Sequence, residues 1–200
     1  MKKPDLLKRA KKIKMVLMDV DGVLTDGQMF HVPGPDGRMV EFKGFHALDG
    51  IGLRLLRGFG IKTGVITGRR SPATEDRARS LCMSYIFMGF LAKTAPFERV
   101  LSETGIRAEE VAYIGDDWTD IPVMKRCGLA CAPANAVEEG KKYAHYVARK
   151  SGGSGAVREI CDFILKSQGR WPAIMEMVES GKWDSLPPEN PVVVNAHQPV

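Results

Sequence analysis

Two aspartates, Asp19 and Asp21, directly follow the apolar run of residues 13–18. Side chains two positions apart on an extended chain point to the same side, so the two carboxylates face one region. Such carboxylates repel each other unless a cation joins them. A hard divalent ion such as Mg²⁺, which takes oxygen ligands, relieves that repulsion. The spacing therefore indicates metal-assisted chemistry at the end of a buried strand.

Two other interpretations of this stretch need to be weighed. A calcium-binding EF-hand loop needs an oxygen ligand at its fifth position and glycine at its sixth. This chain has Val23 and Leu24 there, so the EF-hand is excluded. A chance acidic turn could account for Asp19 and Asp21 taken alone. It does not account for the further polar groups at the ends of later strands.

Three further polar features follow along the chain. Thr67 begins the stretch Thr-Gly-Arg after a β-rich run, Lys93 begins a helical stretch, and residues 115–120 (Gly-Asp-Asp-Trp-Thr-Asp) follow another apolar run. Taken separately, Thr67 could be a helix cap, Lys93 a surface charge, and the acidic stretch a solvated turn. In this order, they add a hydroxyl, an ammonium and a second acidic cluster to the first carboxylate pair.

The elements that must position these groups alternate along the chain. Short β-rich runs are separated by helical stretches of about 10 to 15 residues, which predicts βα units and a parallel sheet. We expect an α/β domain with a doubly wound, Rossmann-like parallel sheet, in which ligands lie outside the carboxyl ends of the strands. Residues 27–43 break the alternation with two β-like arms around Pro-Gly-Pro-Asp-Gly, which predicts a small inserted β-hairpin beside Asp19.

Length and charge indicate the domain organisation. The 200 residues favour one substantial core. We place it at residues 13–167, after a basic N-terminal arm of residues 1–12 and before a partly mobile C-terminal extension of residues 168–200. The formal net charge is +5, yet residues 1–14 hold seven Lys or Arg and one Asp, so the remaining chain has a net charge of −1. No aromatic residues are interleaved with this basic start, which favours a solvated helical arm over a nucleic-acid or membrane surface.

The sequence predicts neither export nor a membrane span. The apolar stretch before Asp19 is six residues long, which is shorter than the apolar region of a signal peptide. No window approaches the roughly 20 apolar residues of a span.

The four cysteines form no Cys-x-x-Cys pair, and the four histidines do not have zinc-finger spacings. We expect reduced thiols and a cytoplasmic location.

The polar features together resemble the four motifs of the haloacid dehalogenase superfamily of phosphotransferases, over residues 13–165. The motifs are residues 16–22, which end in Asp-x-Asp-Gly, Thr67, Lys93, and residues 115–120. The resemblance implies that Asp19 is the nucleophile that forms an aspartyl-phosphate. It also implies that Asp21 is the acid that protonates the leaving alcohol and later activates water.

The same resemblance implies a Mg²⁺ cofactor and a set of groups around the phosphate. The metal ligands would be Asp19, the backbone carbonyl of Asp21, and Asp116. Thr67 and Lys93 would act on the phosphate in catalysis, Asp120 would orient Lys93, and Asp117 would support the loop. The residues implied to bind substrate are Gly22, through its backbone N–H, Gly68, Arg69 and Arg158.

Most superfamily members carry a cap domain, for which this chain has no room. About 16 residues are free at the first insertion site, and 25 residues separate Thr67 from Lys93. Residues 42–56, 112–129 and 152–165 resemble the capless 3-deoxy-D-manno-octulosonate 8-phosphate phosphatases of lipopolysaccharide sugar synthesis. Leu48 and Met88 depart from that pattern, in which arginine and glutamine are usual.

The resemblance implies an acidic sugar phosphate as the small-molecule substrate, with a nine-carbon keto-deoxy sugar acid phosphate as the alternative. Arg69 is suited to pairing with the sugar carboxylate in a bidentate manner, whereas Arg70 and Arg77 are weaker candidates. The resemblance also implies a homotetramer assembled through the hairpins. Residues 152–159 would then reach the active site of a neighbouring subunit, or else form a flexible glycine loop.

Two function classes other than an enzyme are considered. Some sugar-activating enzymes carry a phosphatase-like module that serves assembly alone, but such modules often lose catalytic residues that this chain keeps. Nucleic-acid binding through the Lys-rich start is disfavoured, because the basic charge is confined to the first 14 residues.

Overall fold

The computed structural model describes residues 3–182 and 190–196. The helices in these ranges are α1 (Lys3–Ala10), α2 (Ala47–Gly58), α3 (Pro72–Ser80), α4 (Thr94–Thr104), α5 (Ile121–Met124), α6 (Glu138–Tyr143), α7 (Ala156–Ser167) and α8 (Trp171–Glu179). The strands are β1 (Met15–Met18), β2 (Phe30–Pro33), β3 (Met39–Phe42), β4 (Lys62–Thr67), β5 (Tyr85–Met88), β6 (Val111–Ile114), β7 (Leu129–Ala132), β8 (Tyr146–Val147) and β9 (Val192–Asn195). Within the described residues, no helix has the length and apolar character needed to cross a membrane.

A seven-stranded parallel sheet forms the middle layer, in the order β8-β7-β6-β1-β4-β5-β9. β1 lies at the centre of the sheet, with Val16 and Met18 in one hydrophobic core and Met15 and Leu17 in the other. α2 and α7 contribute to the first core, and α4 and α5 contribute to the second. A strand buried on both faces has an uninterrupted apolar sequence. The prediction of a doubly wound α/β fold is confirmed.

The predicted inserted hairpin is also confirmed. β2 and β3 pair antiparallel, with Phe30 opposite Phe42 and Val32 opposite Val40. The rings of Phe30 and Phe42 stack with their centroids 5.2 Å apart. The apolar side chains of the hairpin are nevertheless exposed; they are Met29, Phe30, Val32, Met39, Val40 and Phe42. From β4 to α4 the chain runs through α3 and β5, so the described residues contain no cap domain.

The first and last described elements, α1 and β9, both contact the central fold. α1 contributes Ala10 to the first core, and Arg9 donates a 2.6 Å hydrogen bond to the carbonyl of Gly128. At the other end, β9 pairs in parallel with β5 and so extends the sheet by one strand. Residues 192–195 of the C-terminal extension are thus paired in the sheet, and the partial mobility of residues 168–200 stays a prediction. Residues 183–189 and 197–200 lie outside the described residues.

The glycine-rich turn before α7 packs on its own chain. The N–H of Gly153 donates to the carbonyl of Val23 at 3.2 Å. A Cβ at Gly152 would lie 1.9 Å from the carbonyl oxygen of Gly22, so only glycine fits there. The structure thus places residues 152–159 against the loop that follows β1. The reach of this segment into a neighbouring subunit stays a prediction, as does its alternative, a flexible glycine loop.

α7 itself is a core helix. Val157, Ile160 and Ile164 are fully buried in the first core, against α2. Asp49 of α2 accepts a 2.7 Å hydrogen bond from the backbone N–H of Arg158, which joins the start of α7 to α2. Truncation before Ser151 would therefore remove part of the core.

We predict that Ile164→Ala lowers the free energy of unfolding by about 2–5 kcal/mol, because it removes buried methyl groups and leaves a cavity. Urea denaturation followed by circular dichroism measures the change. Lys166→Ala, at an exposed position of the same helix, is the matched control and should change the value by less than about 1 kcal/mol. Equal effects of the two substitutions would contradict the placement of α7 in the core.

Candidate active site

The loop after β1 carries the two aspartates of the first motif. Asp19 lies at the end of β1 and is 8% exposed, and its Oδ1 accepts a 2.7 Å hydrogen bond from the N–H of Val20. Gly22 has φ +87°, and a Cβ there would lie 2.0 Å from Oδ2 of Asp116. This position requires glycine because the left-handed backbone and the close approach of Asp116 both exclude a side chain.

Lys93 connects the first and fourth motifs. Its side chain is 1% exposed, and its Nζ lies 2.7 Å from Oδ2 of Asp19 and 2.6 Å from Oδ1 of Asp120. Burial disfavours the ammonium, but the two carboxylates outweigh this effect and raise the pKa of Lys93 above its usual value. Lys93 therefore remains a cation held against Asp19.

Asp120 is fully buried and has partners on both oxygens. Oδ1 also accepts a 2.7 Å hydrogen bond from the hydroxyl of Tyr113, and Oδ2 accepts the backbone N–H groups of Asp116 and Asp117 at 3.0 and 3.2 Å. The side chain of Asp117 accepts a 2.7 Å hydrogen bond from the N–H of Trp118. Asp120 thus orients Lys93 and shapes the loop that carries Asp116.

The acidic cluster fits a divalent cation. Carboxylate oxygens of Asp19, Asp116 and Asp120 lie within 4.8 Å of one another, and Oδ1 of Asp116 is buried without a hydrogen-bond partner. Burial raises the pKa of Asp19 to about 6. Burial and the charge of Asp19 raise the pKa of Asp116 to about 8. Lys93 alone does not balance these charges, whereas a hard cation that takes oxygen ligands would.

Asp21 lies in a second group of charged residues. Lys43, just after β3, contacts Oδ1 of Asp21 through Nζ and lies 3.6 Å from Oε1 of Glu41. Nε of Arg69 lies 3.7 Å from Oδ2 of Asp21, and its guanidinium also pairs with Glu41. The structure therefore brings Arg69 to Asp21. It also adds Lys43 and Glu41, which the sequence analysis missed because neither lies in one of the four motifs.

Thr67 and its neighbours lie at the carboxyl end of β4. Thr67 is 2% exposed and pairs in register with Met88 at the end of β5. Met88 is the position at which the resemblance implies glutamine. A Cβ at Gly68 would lie 2.8 Å from Cδ2 of Leu91, so Gly68 leaves space for the Leu91 side chain. β4 pairs in parallel with β1, so the carboxyl ends of the two strands, with Thr67 and Asp19, lie side by side.

Arg158 is not among the charged groups that contact Asp19 or Asp21. Its Nε donates a 2.8 Å hydrogen bond to Asp162 one turn along α7. Arg158 and Leu48 line a cavity of about 470 Å³, whose lining contains none of the motif side chains at 19, 21, 67, 93 and 116. Substrate binding by Arg158 therefore remains a prediction, which no contact among the described residues supports.

One polar residue that the sequence analysis missed holds the first loop. Nδ2 of Asn135 donates to the carbonyl of Gly22 at 3.1 Å, and Oδ1 accepts the N–H of Gly152 at 2.7 Å. Only a side-chain amide offers a donor and an acceptor in this arrangement. No local pattern marks Asn135, because its partner Gly22 lies 113 positions away in the sequence.

Comparisons with known proteins agree with this geometry. The family model for haloacid dehalogenase-like hydrolases matches residues 60–160. The 3-deoxy-D-manno-octulosonate 8-phosphate phosphatase of Yersinia pestis is 42% identical over 166 residues, which cover 83% of this chain and 87% of the relative. The enzyme of that name from Escherichia coli K12 is 40% identical over 166 residues, which cover 83% of this chain and 86% of the relative.

A solved structure agrees as well. The crystal structure of 3-deoxy-D-manno-octulosonate 8-phosphate phosphatase from Moraxella catarrhalis, in complex with magnesium ion, phosphate ion and a KDO molecule, superimposes with a TM-score of 0.83. It is 36% identical, and the match covers 88% of this chain and 99% of that chain. Sequence and fold thus lead to one result: this chain belongs to the haloacid dehalogenase-like hydrolases.

Proposed function

We propose that this chain is a Mg²⁺-dependent phosphatase that releases phosphate from 3-deoxy-D-manno-octulosonate 8-phosphate. The observation that carries this proposal is the buried carboxylate of Asp19, held 2.7 Å from the ammonium of Lys93 and beside Asp116. A buried carboxylate against a fixed cation is placed to attack a phosphorus atom whose oxygens that cation attracts. The named relatives support the choice of substrate.

The first chemical step transfers the phosphoryl group to the protein. A carboxylate oxygen of Asp19 attacks phosphorus, and the bond between phosphorus and the ester oxygen breaks. That oxygen leaves as the sugar alcohol after taking a proton from the carboxyl group of Asp21. The products of this step are an aspartyl-phosphate on Asp19 and a carboxylate on Asp21.

The second step returns the protein to its starting state. The Asp21 carboxylate accepts a proton from water as the water oxygen attacks phosphorus. The bond between phosphorus and Asp19 then breaks, which releases inorganic phosphate and restores the Asp19 carboxylate. One group thus serves as acid in the first step and as base in the second.

Both steps need cancellation of the negative charge on the phosphate oxygens. Lys93, the hydroxyl of Thr67 and the backbone N–H of Gly22 are the groups of this chain that we assign to this task. Asp19, Asp116 and the backbone carbonyl of Asp21 would hold Mg²⁺. When bound, the ion would supply further positive charge to these oxygens.

The substrate assignment rests on charge as well as on resemblance. We assign Arg69 to the sugar carboxylate, because it lies on the hairpin side of Asp21 and its planar guanidinium matches a carboxylate. A nine-carbon sugar acid phosphate is the alternative substrate, since Leu48 and Met88 differ from the usual residues. If the substrate is 3-deoxy-D-manno-octulosonate 8-phosphate, the reaction belongs to the synthesis of a lipopolysaccharide sugar.

We also propose that the chain forms a homotetramer through its hairpins. The exposed apolar side chains of β2 and β3 form a patch of the kind that marks protein interfaces. The absence of a cap domain from the described residues is a second reason, because phosphoryl transfer benefits from a pocket that excludes water. A cytoplasmic location stays a prediction.

Removal of the nucleophile tests the activity. We expect Asp19→Asn to lower phosphate release from an aryl phosphate with Mg²⁺ by more than about 10³-fold, because the amide is a poor nucleophile. EDTA should abolish the wild-type activity, and added Mg²⁺ should restore it. Asp26→Asn, an exposed acidic position in the same loop, is the control and should keep wild-type turnover. Unchanged turnover of Asp19→Asn would refute the mechanism.

A substrate panel tests the assignment of the sugar acid. We expect kcat/KM for 3-deoxy-D-manno-octulosonate 8-phosphate to exceed that for neutral sugar phosphates by at least about 100-fold, since a carboxylate paired with arginine contributes several kcal/mol. Arg69→Met should reduce this preference, because kcat/KM should fall more for the sugar acid phosphate than for neutral sugar phosphates. A preference for neutral sugar phosphates would overturn the assignment, and a preference for the nine-carbon acid would favour the alternative.

Light scattering tests the assembly. Four chains of 22.0 kDa give a particle of about 88 kDa. We expect Val32→Glu with Val40→Glu to reduce this mass, because the paired valines lie in the exposed apolar patch. Arg38→Glu, near the exposed hairpin turn, is the control that should keep the assembly. A wild-type particle of about 22 kDa with full activity would exclude the tetramer.

A further inference from the structure

Lys43 is a charged residue that none of the four motifs contains and that is nonetheless enclosed at the active site. Its side chain is only 4% exposed, although it follows the solvent-exposed strand β3. Burial of a lysine costs free energy unless its ammonium has partners. Its partners are the carboxylates of Asp21 and Glu41, so the reason for its burial lies at the site.

The contact distinguishes the two oxygens of Asp21. Nζ of Lys43 donates a hydrogen bond to Oδ1. Oδ2 is buried and has no hydrogen-bond partner, and Nε of Arg69 lies 3.7 Å from it. Lys43 thus holds one oxygen and leaves the other free. A group that exchanges a proton with substrate needs this arrangement, because its reacting oxygen must be both fixed in place and unoccupied.

Glu41 connects Lys43 to the other side of the site. Its carboxylate lies between Nζ of Lys43, 3.6 Å from Oε1, and the guanidinium of Arg69, with which Oε2 pairs. Lys43 and Glu41 come from the hairpin, and Arg69 follows β4. These contacts fix the hairpin relative to the sheet, so the orientation of Lys43 does not depend on one contact alone.

We propose that Lys43 is a positioning residue that orients Asp21 for proton transfer through Oδ2. The inference rests on the proposed phosphatase activity and deepens it. It assigns a catalytic use to the inserted hairpin, which otherwise serves assembly alone. Lys43 does not exchange the proton itself; Oδ2 of Asp21 gives the proton to the leaving oxygen in the first step, and the released alcohol carries it away.

The test compares two leaving groups in Lys43→Met, which removes the ammonium and keeps the length of the side chain. A sugar phosphate releases an alkoxide that needs a proton, whereas p-nitrophenyl phosphate releases a stable phenolate that does not. kcat/KM covers the steps up to ester cleavage. We expect kcat/KM for the sugar phosphate to fall by about 10–100-fold, the usual effect of losing a positioning contact, and that for p-nitrophenyl phosphate to fall by less than about threefold.

Further variants separate orientation from general damage. Lys43→Arg should restore most of the sugar phosphate activity, because it keeps a cation beside Oδ1. Addition of Lys43→Met to Asp21→Asn should cause little further loss, since residues that act as a unit are not additive. Arg38→Met, at a side chain on the same hairpin that is 88% exposed, is the matched control and should behave as wild type. If Lys43→Met does not fold, as judged by circular dichroism, Lys43→Gln replaces it in the comparison.

The possible results separate the role of Lys43 from the phosphatase activity itself. An equal loss for both substrates, or no loss for either, would overturn the role of Lys43 and leave the phosphatase intact. Full additivity of Lys43→Met and Asp21→Asn would overturn it as well. A wild-type protein that hydrolyses neither substrate would refute the proposed function, and with it this inference.

Discussion

The structure depends on the electrostatic balance at the carboxyl end of β1. Asp19, Asp116 and Asp120 converge there in surroundings partly shielded from water, where the charge of Asp120 raises the pKa of Asp19, and the charges of Asp19 and Asp120 raise the pKa of Asp116. Lys93 offsets part of this cost because it contacts two of the three. The remaining negative charge favours a bound cation. Without that cation, the same carboxylates would repel an anionic phosphate.

This balance constrains the backbone around it. Asp120 uses both oxygens to hold Lys93, Tyr113 and two backbone N–H groups, so its orientation is fixed by four contacts. Gly22 lies against Asp116, and Gly152 lies against Gly22 on the other side. The loop after β1 is therefore packed between the acidic loop and the turn before α7. A movement of either neighbour would displace the backbone next to the nucleophile, which explains why a remote turn is rich in glycine.

Much of this site could be predicted from the sequence because each motif is local and lies at the end of a strand. Apolar runs buried on both faces predict parallel strands, and parallel strands place Asp19, Thr67 and residues 115–120 at one edge. β9 could not be predicted in this way, because its residues follow a proline-rich stretch and their pairing partner Tyr85 lies more than 100 positions away. Asn135 and Lys43 were missed for a related reason: their importance comes from contacts with residues distant in the sequence, Gly22 for Asn135 and Asp21 for Lys43, and their residue types are common on surfaces.

The hairpin presents different residues on its two sides. It is too small to enclose a substrate, yet it brings a buried cation to Asp21 on one side and exposes an apolar surface on the other. If the apolar surface is buried between subunits, the same contacts that assemble the protein also restrict the motion of Lys43. The orientation of Asp21 would then be fixed by association rather than by a cap, and loss of assembly would lower the rate of ester cleavage before it changed the fold of the α/β domain. The two ends of the hairpin are linked by paired strands, Phe30 with Phe42 nearest the site, so an effect on one side is transmitted through hydrogen-bonded backbone to the other.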